Sequence, residues 1–389
     1  MAGTVYLDNS ATTPICEEAL ARYCEVSRTV FGNPSSLHAV GKQAEDVLKG
    51  ARLSLLSAIG AKGGHIAFLA SGTEANSLAL WGRAHAKARY RRGKILASKG
   101  EHASVSQTLA ALREEGFAVE EIPTVGGALD MAALEAALTP DTFLVSVMAV
   151  NNETGAVYPL SEVSRLIAAR APDCLLHVDA TQALFHIPLS VSALGIDLLT
   201  VSAHKVEGPK GVGALYYTER VRKEKGLVPQ ILGGGQEDGM RSGTENVPGI
   251  AAFAAACDIG KENFAKREKI LLSLRQYLLR RLAEEPALRE VKPLLPPVAA
   301  PHILTLILPG IKSEVMLHHL SADGISVSSG SACSSHGKTG SSPLLAFGCS
   351  PREADTAIRV SLSHRNTEEE LALFLASLER GLARLSRLR

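Results

Sequence analysis

Two short apolar runs each lead into polar groups that could do chemistry. The run Leu175–Asp179 ends in a carboxylate. The run Leu198–Ser202 is followed by His204 and Lys205. If both runs are parallel strands of one sheet, these groups meet at the carboxyl ends of the strands, where open α/β sheets bind ligands. A lysine facing an aspartate suits pyridoxal phosphate, because the amine holds the cofactor as a Schiff base and the carboxylate keeps the pyridine nitrogen protonated. A buried ion pair, or a lysine on an exposed turn, explains the same two residues.

A candidate anion site opens the helix that follows an earlier strand-like run. Ser71-Gly72-Thr73 comes after Ile66–Ala70 and precedes a helical pattern that starts near Glu74. Free backbone N–H groups at a helix N-terminus, a glycine that allows close approach and two hydroxyls together suit a phosphate. An ordinary helix cap, with Thr73 capping its own helix, fits the same residues.

Three more polar side chains lie just beyond strand-like runs. His102 could stack on a flat cofactor or move protons, although an ordinary loop histidine explains it as well. Asn152 follows the most apolar run, Phe143–Val150, and its amide could bind a phenolic oxygen or a carboxylate, while a turn also favours asparagine there. Gln182, three residues past Asp179, adds an amide at the same edge of the sheet.

A cysteine and an arginine in the C-terminal part complete the candidate residues. Cys333 lies in the run Ser328–Gly337, in which nearly every neighbour is serine or glycine. Such a loop cannot pack a core but can present a thiol, so a reactive cysteine is favoured over a buried one. Arg359 is the one charged residue in Ala357–Ser361, and a guanidinium can bind a carboxylate with two hydrogen bonds. An exposed arginine on an edge strand is the alternative.

The elements that must position these residues alternate between strand-like and helix-like stretches from about residue 45 to residue 218. Helix-like stretches such as Glu74–Arg91 and Leu160–Arg170 lie between most of the strands. The seven strand-like runs are Ile66–Ala70, Lys94–Ser98, Ala118–Ile122, Phe143–Val150, Leu175–Asp179, Leu198–Ser202 and Gly213–Tyr217. The alternation predicts an α/β fold with crossover connections and a mostly parallel, seven-stranded sheet.

The pattern changes after Gly233-Gly234-Gly235 and predicts a second, smaller α+β domain. Its expected elements are a long helical stretch Pro248–Glu284, a strand Ile303–Leu308, a helix Ser313–Leu320, a loop Ser326–Gly340 and a closing helix Thr367–Leu385. A chain of 389 residues is long enough for two cores. We place the large domain at residues 15–258, and the small domain at residues 1–14 together with 259–389.

Charge and composition exclude several classes of protein. Lys and Arg number 41 against 40 Asp and Glu, so the net charge of +1 gives no reason to expect nucleic acid or a membrane surface as a partner. No apolar run approaches the ~20 residues of a membrane span, and the N-terminus lacks a signal-peptide pattern. Six cysteines without a CxxC spacing predict neither a zinc site nor disulfides. We expect a cytoplasmic protein without a metal.

An ordered set of motifs along the chain resembles the cysteine desulfurase family (NifS/IscS-like, class V aminotransferase superfamily). The motifs are Tyr6-Leu7-Asp8-Asn9-Ser10-Ala11-Thr12-Thr13-Pro14, Gly32-Asn33-Pro34-Ser35-Ser36-Leu37-His38, Val150-Asn151-Asn152-Glu153, His177-Val178-Asp179-Ala180-Thr181-Gln182, His204-Lys205, Gly239-Met240-Arg241-Ser242-Gly243-Thr244 and Ser328-Ser329-Gly330-Ser331-Ala332-Cys333. The resemblance implies the fold-type I architecture of pyridoxal 5'-phosphate-dependent transferases.

The resemblance also implies a role for each candidate residue. Catalysis would fall to Lys205, which holds the cofactor, to His102, which stacks on its ring, and to Cys333, which accepts sulfur. Asp179, Gln182 and Asn152 would contact the ring or its substituents. Gly72, Thr73, Ser202 and His204 would bind the phosphate, together with Thr244 of a neighbouring subunit, which implies a homodimer. Arg359, with Asn152, would hold the substrate carboxylate.

The implied reaction removes sulfur from L-cysteine, leaves a persulfide on Cys333 and releases L-alanine. A sulfur-acceptor protein, such as an iron–sulfur scaffold or a sulfur carrier, would then be a partner. A selenocysteine lyase shares most of these motifs, whereas a class V aminotransferase would not need Cys333. Some positions depart from the family pattern: Leu69-Ala70-Ser71-Gly72 in the phosphate region, His302, and Ser363-His364.

Overall fold

The computed structural model describes residues 4–87, 91–329 and 342–385. The described helices are α1 (Glu17–Thr29), α2 (Ala39–Ala58), α3 (Gly72–His85), α4 (Ala103–Glu114), α5 (Met131–Ala137), α6 (Leu160–Arg170), α7 (Val191–Leu194), α8 (Glu219–Lys223), α9 (Val247–Glu262), α10 (Phe264–Glu284), α11 (Ser313–Ala322), α12 (Pro343–Phe347), α13 (Pro351–Asp355) and α14 (Glu368–Leu385). The described strands are β1 (Val5–Tyr6), β2 (His65–Leu69), β3 (Lys94–Ser98), β4 (Ala118–Ile122), β5 (Thr142–Met148), β6 (Leu175–Asp179), β7 (Leu198–Ser202), β8 (Gly213–Tyr217), β9 (Lys292–Pro293), β10 (Ile303–Ile307), β11 (Ile325–Ser326), β12 (Ser328–Ser329) and β13 (Ala357–Ser361).

Seven strands form one large sheet in the order β2-β8-β7-β6-β5-β3-β4. Strand β8 runs antiparallel to both of its neighbours, and the remaining pairs are parallel. Strands β5, β6, β7 and β8 are buried along their whole length, which explains why they read as continuous apolar runs rather than alternating ones. The predicted α/β fold with a mostly parallel, seven-stranded sheet is confirmed.

Helices cover both faces of the large sheet, as crossover connections require. One face packs on α3 and α4 through residues such as Leu78, Leu80 and Leu109. The other face packs on α2, α6 and α9 through residues such as Leu55 and Ile167. With both faces covered, the open edge at the carboxyl ends of the strands is where polar side chains can gather.

A second, antiparallel sheet has the order β12-β13-β10-β9 and packs on α10, α11 and α14. The N-terminal strand β1 pairs with β11, and its Val5 enters the same core as Phe374 and Leu278. A smaller C-terminal α+β unit is therefore present, whereas the domain boundaries at residues 14 and 258 stay a prediction. Each described helix is too short or too polar to cross a bilayer.

Two predicted helices differ from the observed ones in a way that local chemistry explains. The stretch Pro248–Glu284 forms two helices that separate at Asn263, whose backbone leaves the helical region and whose side-chain Nδ2 donates to the carbonyl of Ile259 at 3.0 Å. Side-chain bonding of this kind competes with the helical backbone pattern. Helix α3 begins at Gly72, and Ser71 rather than Thr73 is its cap, accepting a hydrogen bond from the N–H of Glu74.

Candidate active site

A cavity of ≈ 450 Å³ opens at the carboxyl ends of the parallel strands of the large sheet. It gathers most of the residues that the sequence analysis selected: Gly72, Thr73, His102, Asn152, Asp179, Gln182, Ser202, His204, Lys205 and Arg359. These residues lie at the carboxyl ends of β2, β3, β5, β6 and β7 or just after them, except for the arginine, which lies in β13, so the fold itself brings them together. The cavity is the candidate active site.

Two predicted residues are not part of this cavity as it is described. Thr244 lies elsewhere, beside Phe68 and Arg241 in a smaller cleft. Its predicted partner is the phosphate of a neighbouring subunit, so a single chain would not bring it here. Cys333 lies in residues 330–341, outside the described part of the chain.

Asp179 ends β6 and is held from two sides. Its Oδ2 accepts a hydrogen bond of 2.8 Å from Nδ2 of Asn76, and its Oδ1 accepts one of 2.9 Å from the backbone N–H of Thr181. The carboxylate is 5% exposed. Because both oxygens already accept hydrogen bonds, the group is fixed in orientation at the edge of the cavity.

Lys205 lies in the short helical turn that follows β7 and reaches the N-terminal segment. Its Nζ donates to the carbonyl oxygens of Ser10 (2.5 Å) and Ala11 (2.8 Å). The side-chain amide of Gln182 also donates to the carbonyl of Ser10, at 2.9 Å. The N-terminal segment therefore forms one wall of the cavity and holds the amine beside it.

His102 stands at the N-terminus of α4, where its Nδ1 accepts the backbone N–H of Ser104 at 3.2 Å and lies 2.8 Å from the Oγ of the same residue. Burial lowers the pKa of His102, and the nearby Lys205 lowers it further, against the opposing charge of Asp179. A ring that caps its own helix and lines the cavity in its neutral form can stack on a planar ligand.

The start of α3 forms a cradle for an anion. A Cβ added at Gly72 would lie 3.3 Å from both the Cβ of Ser202 and the Oγ1 of Thr181, so only glycine leaves this space open. His204, beside it, has its Nδ1 3.2 Å from the Oγ1 of Thr12, and burial together with Lys205 and Lys210 lowers its pKa to about 4. Free N–H groups at the helix N-terminus and nearby hydroxyls suit a phosphate.

Arg359 is placed on an inner strand, since β13 lies between β12 and β10. The alternative of an exposed arginine on an edge strand is therefore wrong. Its Nη2 contacts Oδ1 of Asp8 at 3.1 Å, and its Nη1 donates to the carbonyl of Asn152 at 2.9 Å. The guanidinium is 8% exposed and lines the cavity, which suits a carboxylate ligand.

Three acidic or amide residues of functional interest were missed by the sequence analysis. Asn76 lies one turn into the helix that Gly72 opens, and Glu101 directly precedes His102, so the neighbouring motifs could have drawn attention to both. Glu153 lines the cavity next to Asn152. The partners of Asn76 and Glu101 at Asp179 and Met148 could not be seen, because they lie far away along the sequence.

Comparisons with known proteins give one consistent picture. The profile of the family described as Aminotransferase class-V matches residues 5–374. The chain is 38% identical over 389 residues to cysteine desulfurase IscS of Dictyoglomus turgidum, covering 99% of this chain and 96% of that one. The structure of a NifS-like protein superimposes with a TM-score of 0.89 at 34% identity, over 98% of this chain and all 100% of that one. SspA in complex with cysteine matches with a TM-score of 0.79 at 31% identity, over 93% and 99% of the two chains.

Proposed function

Because the chain belongs to the NifS/IscS-like branch of the class-V aminotransferase family, we propose that it is a cysteine desulfurase that uses pyridoxal 5'-phosphate. The observation that carries the proposal is the single cavity in which Lys205, Asp179 and Arg359 meet. An amine, a fixed carboxylate and a buried guanidinium are what an amino-acid substrate and this cofactor require together. SspA, a structural relative, is described in complex with cysteine, which supports L-cysteine as the substrate.

The residues present fit the cofactor. The open space at Gly72 and the N–H groups that begin α3 would take the phosphate, with Thr73, Ser202 and His204 around it. The carboxyl group of Asp179 would face the pyridine nitrogen, and Gln182 and Asn152 would lie along the ring substituents. When bound, pyridoxal phosphate supplies an electron sink for the bond that breaks at the substrate Cα.

The side chains of the cavity would bind the substrate, move a proton and exclude water. Arg359 and Asn152 would hold the substrate carboxylate and so orient the Cα. The amine of Lys205, which holds the cofactor at rest, would take the Cα proton once the substrate has displaced it. His102, neutral and buried, would cover the ring and keep water from the reacting atoms.

The sulfur transfer itself would fall to Cys333. Its thiolate attacks the substrate sulfur, an S–S bond forms and the substrate C–S bond breaks, so that the electron pair of that bond remains on carbon. Protonation of carbon yields L-alanine, and the enzyme keeps a persulfide. A protein thiol of an iron–sulfur scaffold or sulfur carrier would then take the sulfur, as relatives named IscS suggest.

The decisive experiment compares the wild type with Cys333→Ala, each given L-cysteine and a reducing thiol, and follows alanine and sulfide. Cys24→Ala is the matched control, because Cys24 is an exposed cysteine outside the cavity. The proposal predicts that Cys333→Ala keeps the cofactor absorbance and loses turnover, while Cys24→Ala keeps both. Equal turnover by Cys333→Ala would instead favour a selenocysteine lyase or an aminotransferase.

We also propose that the active form is a homodimer in which Thr244 of a second copy reaches the phosphate. Its place outside the cavity of its own chain is compatible with that role. Thr244→Ala should weaken cofactor binding without changing the fold, and sedimentation of the wild type should give a dimer.

A further inference from the structure

Three buried polar atoms at one end of the cavity have no hydrogen-bond partner among the described residues. They are Oδ1 of Asn152, Oε2 of Glu153 and Nε of Arg359. Most buried polar atoms in folded proteins are paired, and unpaired ones call for an explanation. All three belong to residues that line the cavity, and two of these residues are already expected to bind the substrate carboxylate. Glu153 is the member without an assigned role.

The backbone of Glu153 is fixed on both sides. Its N–H donates to Oδ1 of Asn151 at 3.0 Å, and its carbonyl accepts a hydrogen bond of 2.5 Å from Oγ1 of Thr305 on β10. The side chain is 5% exposed. Burial raises the pKa of Glu153 to about 7, against the opposing effect of the nearby Arg359. The guanidinium of Arg359 bonds the carbonyl of the preceding residue, Asn152, at 2.9 Å, so a carboxyl group with one oxygen unpaired among the described residues lies near the expected substrate-binding group.

The charge of Arg359 is already shared with one carboxylate. Asp8 contacts its Nη2 at 3.1 Å, and the same Asp8 oxygen accepts a hydrogen bond of 2.8 Å from Oγ of Ser328. A second ionised carboxylate nearby would cancel the remaining attraction for an incoming substrate carboxylate, because the local dielectric is low and two anions would surround one cation.

We infer that Glu153 is a positioning residue that sets the affinity of the cavity for the substrate carboxylate by acting through Arg359. Protonated Glu153 leaves the guanidinium free to attract the substrate, and ionised Glu153 competes for it. The inference deepens the proposed function, but it concerns carboxylate recognition and does not depend on the sulfur transfer.

Other titratable groups face the same end of the cavity and must be separated from Glu153 in any test. Arg359 acts on the charge of Glu153, Asp8 pairs with Arg359, and His302, directly before β10, is also affected by Arg359. His102, Lys205 and Asp179 line the rest of the cavity. A ligand that engages only the carboxylate subsite avoids exchange at Lys205.

The expected signature is proton uptake on binding. By linkage, a substrate carboxylate placed beside Glu153 favours its protonated form, so affinity falls as pH rises through about 7. Between about pH 6 and pH 8 we expect the affinity of the wild type for a carboxylate ligand to fall roughly three- to tenfold. In Glu153→Gln the side chain stays neutral, and the affinity should remain nearly constant over the same range.

The test is calorimetry of the cofactor-loaded protein with 3-mercaptopropionate, which is cysteine without its amine, in two buffers of different ionisation enthalpy. The wild type should take up a fraction of a proton per site near pH 7, and Glu153→Gln should take up less. Glu162→Gln, at an exposed position on α6, is the control and should match the wild type. Cysteamine, which lacks the carboxylate, should show no difference between the wild type and Glu153→Gln.

The outcomes are distinguishable from those of the proposed function. Equal pH dependence in the wild type and Glu153→Gln would overturn the inference, even if the protein converts L-cysteine to alanine. Absence of proton uptake in the wild type would overturn it as well, which keeps the test valid if Glu153→Gln does not fold. Conversely, a carboxylate affinity that depends on pH in the wild type but not in Glu153→Gln, without alanine production, would support the role of Glu153 and contradict the desulfurase activity.

Discussion

Asn76 on α3 donates a hydrogen bond of 2.8 Å to Asp179 at the end of β6, across 103 residues of sequence. The same Nδ2 also donates to Oγ of Ser104, at 2.8 Å, which ties the helix to the segment that carries His102. Asn76 is 1% exposed. One amide therefore connects the carboxylate expected to face the cofactor with the helix expected to hold its phosphate.

Replacement of Asn76 should lower the affinity for the cofactor more than it lowers the stability of the fold. In Asn76→Ala, Asp179 loses one of its two hydrogen bonds and its fixed orientation. A hydrogen bond to a charged group contributes about 1.5–3 kcal/mol, so we expect cofactor affinity to fall at least about tenfold. Equilibrium binding followed by cofactor absorbance measures the change. Ser77→Ala, the neighbouring position on α3, is the control, and an Asn76→Ala protein that binds as tightly as this control would contradict the role.

The sequence predicted the scaffold of the site better than its inner contacts. The observed bounds of Leu175–Asp179 and Leu198–Ser202 match the predicted ones, because fully buried strands carry mostly apolar residues rather than alternating ones. The pairing of Asn76 with Asp179 could not be read in this way, since hydrogen bonds between distant residues leave no local pattern. The break at Asn263 was missed for the opposite reason, because a single side-chain bond overrides a helical pattern that continues on both sides.

The fold should tolerate glutamine at position 101 better than the loss of the Glu101 side chain. Its Oε1 accepts the N–H of Met148 at 2.6 Å and the hydroxyl of Ser98, so the side chain links the ends of β5 and β3 beneath His102. Glu101→Ala leaves both donors without this partner and should lower the free energy of unfolding by about 1–3 kcal/mol. Glu101→Gln keeps an acceptor oxygen there and should lose less. Urea unfolding at pH 6 measures both, and equal losses would contradict the proposed link.

The same residue should make the free energy of unfolding fall as pH rises from about 5 to about 8. Burial raises the pKa of Glu101 to about 8, and the charge of Asp179 raises it further against the hydrogen bond from Ser98. Between the ordinary pKa of 4.5 and about 8 the folded state binds the extra proton, so the free energy of unfolding falls as pH rises through that window. Glu101→Gln should show a flatter profile between about pH 5 and pH 8 than the wild type. Glu114→Gln, exposed on α4, should keep the wild-type slope.

Gly72→Ala tests the cradle at the start of α3. The added methyl would lie 3.3 Å from Ser202 and Thr181, in the space expected for the phosphate. We expect cofactor affinity to fall by about tenfold or more, whereas the melting temperature of the protein without cofactor should change little, since alanine is a good helix former. Gly50→Ala is the matched control, because no atom lies within 4 Å of its added methyl. Unchanged cofactor affinity in Gly72→Ala would place the phosphate elsewhere.

A stacked histidine pair should make the protein sensitive to acid. The rings of His186 and His302 lie 3.8 Å apart at 18°, and neither nitrogen of the buried His302 has a hydrogen-bond partner within the described ranges. Burial lowers the pKa of His186 to about 4 and that of His302 well below its ordinary value, and the cations Arg267, Arg275 and Arg359 add to the effect.

The direction of the pH effect follows from these lowered pKa values. The unfolded chain binds protons at these histidines below about pH 6.5, and the folded chain does not, so stability is lost as pH falls from 6.5. For one histidine that stays unprotonated in the folded state, the free energy of unfolding falls by roughly 2 kcal/mol between about pH 6.5 and pH 5. His302→Asn removes one of several histidines whose pKa burial lowers, His177 and His204 among the others, so it should reduce the measured loss by roughly 2 kcal/mol in urea unfolding at both pH values. His318→Asn, exposed on α11, should keep the wild-type loss, and a His302→Asn protein that behaves like this control would show that acid acts elsewhere.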